Sequence, residues 1–123
     1  MADREEGAVF VDIREQHFAT EAEAYAEIEA RGWYPITLEF DVEDEELHWH
    51  DFSSVIYVLS GCLRAESADG HRVEVPAGAR IEAPARLLHR EVGSRHRSVV
   101  GLDVPVEALT APINKPAADL PAS

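Results

Sequence analysis

The stretch EELHWHDFSSVIYVLSG, residues 45–61, decides the interpretation of this chain. It places two histidines, His48 and His50, directly before a strongly apolar run. Side chains at positions i and i+2 of a β-strand point to the same face, about 7 Å apart, so both imidazoles can converge on one ion. The pattern alone leaves two interpretations open: half of a metal site, or two ordinary histidines on a strand.

Before this stretch, the sequence predicts one short helix. Residues 20–32, TEAEAYAEIEARG, begin with Thr20 as a candidate N-cap, and Glu23 completes a capping box. Gly32 is a suitable residue to end the helix. A short strand is predicted before the helix, over residues 9–13. After Gly32 the apolar period changes to two, which is typical of a half-buried strand.

After residue 50, short apolar segments alternate with turn-like residues. Six or more short strands at even spacing predict an all-β sandwich or barrel. Two of the predicted turns fall at Gly61 and at GSRH, residues 93–96. We therefore expect a single domain with an N-terminal strand and helix segment (1–34), a barrel (35–105) and a Pro/Ala-rich C-terminal tail (106–123). The tail is expected to be either disordered or an arm laid on another surface.

The composition limits the classes of partner. The chain has 123 residues, is 46% hydrophobic and carries a net charge of -13. That charge argues against a nucleic-acid partner, because phosphate binding needs clustered cations. No apolar run approaches the roughly 20 residues of a membrane span, and the first ten residues contain no apolar signal region. With a single cysteine, Cys62, no intramolecular disulfide can form. We therefore predict a cytoplasmic protein without a membrane partner.

The remaining histidines and the charged residues Arg80 and Glu82 receive simpler interpretations. His17, His71 and His96 lie next to predicted turns or before the helix, and we expect them to be exposed. Arg80 and Glu82 alternate with apolar neighbours and predict a solvated strand face, although Glu82 could also serve as a displaced metal ligand.

The landmarks around the two histidines resemble the two motifs of the cupin superfamily. The first motif of that family runs Gly, five residues, His-x-His, three or four residues, Glu, six residues, Gly; here His48, Trp49 and His50 fill the centre and Gly61 the end. The second motif runs Gly, five residues, Pro-x-Gly, two residues, His, three residues, Asn; here Gly78, Pro84 and His89 match. The resemblance covers roughly residues 36–104 and implies a double-stranded β-helix barrel, often dimeric, with a metal inside.

Carried over residue by residue, the resemblance implies His48, His50 and His89 as ligands of one divalent transition metal: iron, zinc, nickel or copper. The chain departs from the family at four positions: Val42 stands for the leading Gly, Ser54 for the ligand Glu, Arg86 for the second Gly and Gly93 for the Asn. Some members of the superfamily, including thiol and diketone dioxygenases, work with three histidines and no carboxylate. Others have lost the metal and keep a plain ligand pocket.

The expected pocket contains Ser54, Ile56, Val58 and Arg86. Ile56 and Val58 share the parity of Ser54, whereas Val55, Tyr57 and Leu59 form a second apolar face on the same strand. A strand that is apolar on both faces is buried on both, which suggests either a homodimer interface or cover by the N-terminal segment. The function expected is that of a non-haem metalloenzyme, dioxygenase- or isomerase-like, acting on a small anionic oxygen-bearing substrate. A non-catalytic binding or sensor protein and a structural metal site are the alternatives.

Overall fold

The strands form one antiparallel sheet, which confirms the predicted all-β class with a short N-terminal helix. The computed structural model describes residues 11–14, 16–109 and 113–120. The elements are β1 (Val11–Arg14), α1 (Glu21–Ala30), β2 (Tyr34–Asp44), β3 (His48–Trp49), β4 (Ser54–Ser67), β5 (Arg72–Pro76), β6 (Arg80–Ala83), β7 (His89–Leu102) and β8 (Lys115–Pro116), with short 3-10 helices at Val106–Ala108 and Ala117–Asp119. The first two residues of the predicted strand 9–13 lie outside the described residues.

Two long strands, β4 and β7, organise the sheet. They pair with each other along most of their length; β4 also pairs with β5 and β6, and β7 with β2 and β3. The prediction that turns at Gly61 and at 93–96 divide these segments was wrong. Gly61 has φ +79°, and an added Cβ there would meet the carbonyl of Arg95. The glycine therefore allows an irregularity in pairing and a close strand approach rather than a chain reversal.

The helix begins as the sequence predicts. Thr20 is the N-cap: its side chain accepts a hydrogen bond from the Glu23 amide, and the Glu23 carboxylate accepts one from the Thr20 amide. Ala24 and Ile28 are fully buried against strands β4 and β7. Gly101 permits this approach, because an ideal Cβ at that position would lie 2.8 Å from two Ile28 side-chain atoms.

Helix α1 explains why β4 is apolar on both faces. Val55, Tyr57 and Val99 have no exposed surface and pack with Ala24 and Ile28 of the helix. Cover by the N-terminal segment is thus the explanation that this structure supports for the pattern. The homodimer stays a prediction, but this apolar face no longer argues for it.

The predicted solvated face around Arg80 and Glu82 was also wrong. Arg80 is 5% exposed, and its guanidinium donates to Glu82 at 2.9 Å and lies over the Tyr57 ring. Glu82 also accepts from Arg31 at the end of the helix, at 3.0 Å. The carboxylate of Glu82 is held on the helix side of the sheet, which removes it as a displaced metal ligand.

The C-terminal tail contacts the barrel itself. Strand β8 pairs with β3, so that His48 lies opposite Pro116 and Trp49 opposite Lys115. The Trp49 indole also donates a hydrogen bond to the Pro116 carbonyl at 2.9 Å. Of the two predictions for the tail, the described residues 113–120 favour the arm, laid on the chain's own sheet.

A search for membrane-spanning segments within the described ranges found no helix with the necessary length and hydropathy.

Candidate metal centre

Three histidines meet where β3 pairs with β7: His48 lies in β3, His50 directly after β3, and His89 at the start of β7. The ladder between β3 and β7 places His48 directly opposite His89, and His50 follows two residues after His48. The ring centroids are 4.5 Å apart for His48 and His89, 5.0 Å for His50 and His89, and 5.1 Å for His48 and His50. One potential ligand atom from each ring lies within 4.8 Å of the other two.

A backbone carbonyl fixes each of the three rings. Nδ1 of His48 donates to the carbonyl of Glu46 at 2.9 Å, and Nδ1 of His89 donates to that of Leu87 at 2.8 Å. Nδ1 of His50 donates to the carbonyl of Ile113, from the C-terminal tail, at 2.9 Å. A neutral imidazole that donates from Nδ1 carries its lone pair on Nε2. All three rings are therefore held in the tautomer that binds a metal through Nε2.

Burial favours the neutral, metal-binding form of these rings. Burial lowers the pKa of His89 to about 4, and the nearby His50 and His48 act in the same direction, against the raising effect of the Leu87 carbonyl. Burial lowers the pKa of His50 as well. At neutral pH these two imidazoles are uncharged, as metal binding requires.

The three side chains fit a transition-metal ion. Nitrogen ligands lie ~2.1 Å from zinc, so two ligands of one tetrahedral ion are ~3.4 Å apart. The ligand atoms in this structure lie within 4.8 Å of one another, and the rings would move together by ~1 Å to hold an ion. A set of three imidazoles suits zinc, copper, iron or nickel better than calcium or magnesium, which prefer oxygen.

The three histidines line a cavity of about 250 Å³. Its walls are largely apolar. The lining residue Phe52 stacks on His50, with ring centroids 4.9 Å apart. The apolar lining residues are Ile36, Leu38, Phe40, Phe52, Ile56, Leu63, Ala65, Ala83, Val100, Leu102, Val106, Leu109 and Ile113. The last three belong to the tail, which therefore forms part of the cavity wall.

Two carboxylates that the sequence analysis missed also line this cavity. Glu45 lies 3.8 Å from Nδ1 of His48, and its carboxylate accepts the backbone N–H of Glu91 at 3.0 Å. Glu91 follows His89 by two residues on β7; this i, i+2 spacing, the one used for His48 and His50, was the signal that could have found it. Burial raises the pKa of Glu91, but hydrogen bonds from His96 and Ser94 outweigh it and hold that pKa below its usual value.

The expectation that His96 is exposed was wrong. His96 is 5% exposed: its Nε2 lies 3.2 Å from Glu91 Oε1 and its Nδ1 2.6 Å from the Ser98 hydroxyl. Its ring stacks on Phe40, with centroids 4.5 Å apart. The glycine at 93 suggested a turn, whereas β7 continues through it and turns Ser94, His96 and Ser98 inward. His17 is half-buried beside Glu27, and His71 alone of the three is exposed as expected.

The four expected pocket residues separate into two pairs. Ser54 and Ile56 line the cavity, as their parity with the histidines suggests. Val58 is fully buried in the apolar core with Leu63 and is not part of the cavity lining. Arg86 is exposed and outside the lining; it has φ +71°, and its amide donates to the His50 carbonyl at 2.8 Å. Arg86 thus has a left-handed backbone at the position where the motif has Gly.

The comparisons with known proteins found solved structures but no family model and no curated protein. A DUF861 family protein from Thermotoga maritima is 20% identical, with a TM-score of 0.49, over 75% of this chain and 98% of the other. An RmlC-like cupin protein from Desulfovibrio desulfuricans is 18% identical, with a TM-score of 0.46, over 85% and 92% of the two chains. Protein NMB1881 from Neisseria meningitidis is 21% identical, with a TM-score of 0.46, over 58% and 71%.

The antiparallel, mostly β architecture is of the kind that the motif resemblance implies. The antiparallel barrel strands and the meeting of His48, His50 and His89 agree with the motif resemblance in the sequence. This agreement concerns the fold and a centre that could hold a metal ion. It does not specify a substrate or a reaction.

Proposed function

We propose that this protein binds one divalent transition metal through His48, His50 and His89 and acts as a non-haem metalloenzyme, dioxygenase- or isomerase-like, on a small oxygen-bearing substrate. The observation that carries the proposal is the shared state of the three rings, each with Nδ1 bound to a carbonyl. Hydrogen bonds from the ring nitrogen that does not face the metal fix the ring orientation and are typical of metal-ligating histidines. When bound, the metal would supply Lewis-acid activation of the substrate or a site for oxygen activation.

The cavity supports a substrate with an apolar body and a polar head. Its aliphatic and aromatic walls can bury a hydrocarbon portion, whereas the three histidines, with Glu45 and Glu91 near them, supply polar groups. A small number of placed polar groups in a mostly apolar pocket is the usual way to orient a small molecule. Oxygen donors of the substrate would therefore face the histidines, and its apolar part would contact Phe40 and Ile56.

The charge of the centre supports an anionic head, but less strongly than the sequence alone suggests. Three neutral imidazoles leave the charge of a divalent ion intact, and Ser54 adds none. Glu91 lines the same cavity and offsets part of that charge. We therefore propose a singly charged head, such as a carboxylate with an adjacent oxygen donor or an enolate.

A binding or sensor protein without catalysis is the second candidate. The observation in its favour is the state of Glu91, the carboxylate next to His89. Its Oε1 accepts from the Ser94 hydroxyl at 2.6 Å and lies 3.2 Å from Nε2 of His96. A carboxylate held in this way is a poorer general base than one that is free to accept a proton. Turnover of a candidate substrate separates the two candidates.

The first experiment is metal analysis of protein purified without chelators, followed by titration of the metal-free protein with Zn²⁺ and Co²⁺. We expect one ion bound per chain at neutral pH, and an absorption spectrum of the bound Co²⁺ that indicates nitrogen ligands. Small carboxylates, keto acids and matched neutral amides should then be screened for binding and for turnover. Protein that takes up neither ion in stoichiometric amount would overturn the proposal.

A further inference from the structure

We propose that the C-terminal segment 113–116 is a positioning element of the metal centre, so that its docking on the barrel and metal binding strengthen each other. This inference rests on the proposed function, since it requires a metal at the three histidines. Its starting point is a difference among the rings: His48 and His89 donate to carbonyls two residues before them, but His50 donates to Ile113, 63 residues away.

The segment is attached to β3, which contains His48 and directly precedes His50. Strand β8 pairs with β3 opposite His48 and Trp49, and the Trp49 indole donates to the Pro116 carbonyl. Lys115 lies 3.8 Å from Asp51, next to His50. These contacts hold the Ile113 carbonyl at Nδ1 of His50, 2.9 Å away. If the segment leaves, His50 loses the acceptor that selects its Nε2 lone pair and its ring orientation.

The expected coupling between docking of the segment and metal binding can be sized from metal sites in other proteins, where hydrogen-bond acceptors orient the ligating histidines. Loss of the group that orients a metal-binding histidine typically costs 10- to 100-fold in metal affinity. Linkage is reciprocal, so a metal that binds the docked state tighter by a given factor favours docking by the same factor. The segment also supplies Ile113 and Asn114 to the cavity wall, so ligands that enter the cavity contact the same docked state.

Lys115 gives a direct measurement of docking, because it is the single lysine of the chain and its side chain is only 16% exposed. The rate of acetylation of Lys115 should be measured by peptide mass spectrometry on the full chain, with and without Zn²⁺. We expect zinc to slow acetylation by about tenfold or more. Amide hydrogen exchange should slow over residues 113–120, whereas exchange in β5, on the far side of β4, should change little.

The reciprocal measurement uses Lys115→Ala, which weakens docking and leaves all three histidines in place. We expect zinc affinity to fall by about fivefold. A fall in zinc affinity is informative, because the loss of a positive charge near a divalent ion would by itself raise that affinity. Arg95→Ala is the matched control: it removes the cation of an exposed ion pair with Asp41 on the barrel and should leave zinc affinity unchanged.

His89→Ala separates this inference from the proposed function. In that variant zinc should no longer slow the acetylation of Lys115. Zinc binding that requires His89 but leaves Lys115 acetylation and segment exchange unchanged would overturn the inference alone. Zinc affinity that is unchanged or raised in Lys115→Ala would also overturn it. A wild-type chain that binds no zinc would overturn the proposed function and the inference with it.

Discussion

The three rings of the candidate metal centre and the single ring of His96 use their nitrogens differently. In His48, His50 and His89, a backbone carbonyl takes the proton of Nδ1, and the rings converge. In His96 both ring nitrogens are in contact with side chains, Nδ1 with Ser98 and Nε2 with Glu91. His48 and His89 are about as buried as His96, so burial alone does not distinguish the two groups.

The difference shows what makes a histidine available to a metal. A ring with both nitrogens in hydrogen bonds acts as a link between side chains, as His96 does between Glu91 and Ser98. A ring with one nitrogen fixed by the backbone keeps the other as a potential ligand, and three such rings at one point form a centre. The predictions below test whether this distinction holds.

The largest effect is expected from the loss of one ring of the centre. His48→Ala and His89→Ala should each lower zinc affinity at least ~100-fold, because a three-ligand site has no ligand to spare. Competition with a chromophoric chelator measures the change. His71→Ala is the control, since this histidine is exposed, and it should bind zinc as the wild type does. Equal zinc contents in all three variants would contradict the ligand assignment.

The next largest effect concerns pH and the metal-free protein. His89 has a pKa of about 4 in the folded chain against an ordinary value of 6.5, so the unfolded chain takes up the proton first. The stability associated with neutral His89 is complete above about pH 6.5 and decreases as pH falls toward 4, by about 3 kcal/mol in all. Urea unfolding at pH 7 and pH 4.5 measures this decrease.

His89→Gln provides the reference for that measurement, because it keeps a polar side chain without an ionisable ring. The difference between wild type and variant removes the contribution of the many carboxylates that also titrate in this range. We expect a smaller pH dependence in the variant; parallel curves for the two proteins would count against the buried neutral ring.

A smaller effect, on stability rather than on metal binding, is expected for His96→Phe. The variant removes the hydrogen bonds to Glu91 and Ser98 and should cost about 2 kcal/mol of unfolding free energy. Its zinc affinity should stay within about threefold of the wild type, because His96 belongs to the other group of rings. A loss of zinc as large as that of His89→Ala would erase the distinction between the two groups.

The smallest effect is expected at Ser54, which lines the cavity with little exposure. Ser54→Glu adds a negative charge near the centre and should tighten zinc about tenfold while weakening anionic ligands more than neutral ones. Ser54→Gln controls for the added volume. An anion-to-neutral preference that is the same in wild type, Ser54→Glu and Ser54→Gln would contradict the proposed role of charge in ligand choice.

The sequence predicted the local features well. The capping box at Thr20 and Glu23, the helix stop at Gly32 and the shared face of His48 and His50 follow from rules that act over a few residues. The meeting of His89 with these two, by contrast, was implied by the family resemblance, since spacing cannot show that position 89 lies opposite position 48.

Other features could not be predicted because they depend on distant partners. Gly61 and Gly93 were interpreted as turns, but each lies inside a 14-residue strand whose continuation is fixed by pairing with a neighbour. For this reason His96 was expected to be exposed. Arg80 was expected to be solvated because its contact with the distant Tyr57 ring has no signal in the local sequence. The hydrogen bond from His50 to Ile113 joins residues 63 positions apart and has no local signal.

The contact between Gly101 and Ile28 bears on how the protein behaves in concentrated solution. A methyl group at position 101 would overlap Ile28, so Gly101→Ala would act as a wedge under the helix. If α1 moved away from the sheet, Val55, Tyr57 and Val99 would become exposed together. An exposed hydrophobic patch of this kind promotes aggregation. Gly101 therefore helps to protect the chain from aggregation, because it lets α1 pack closely on the sheet.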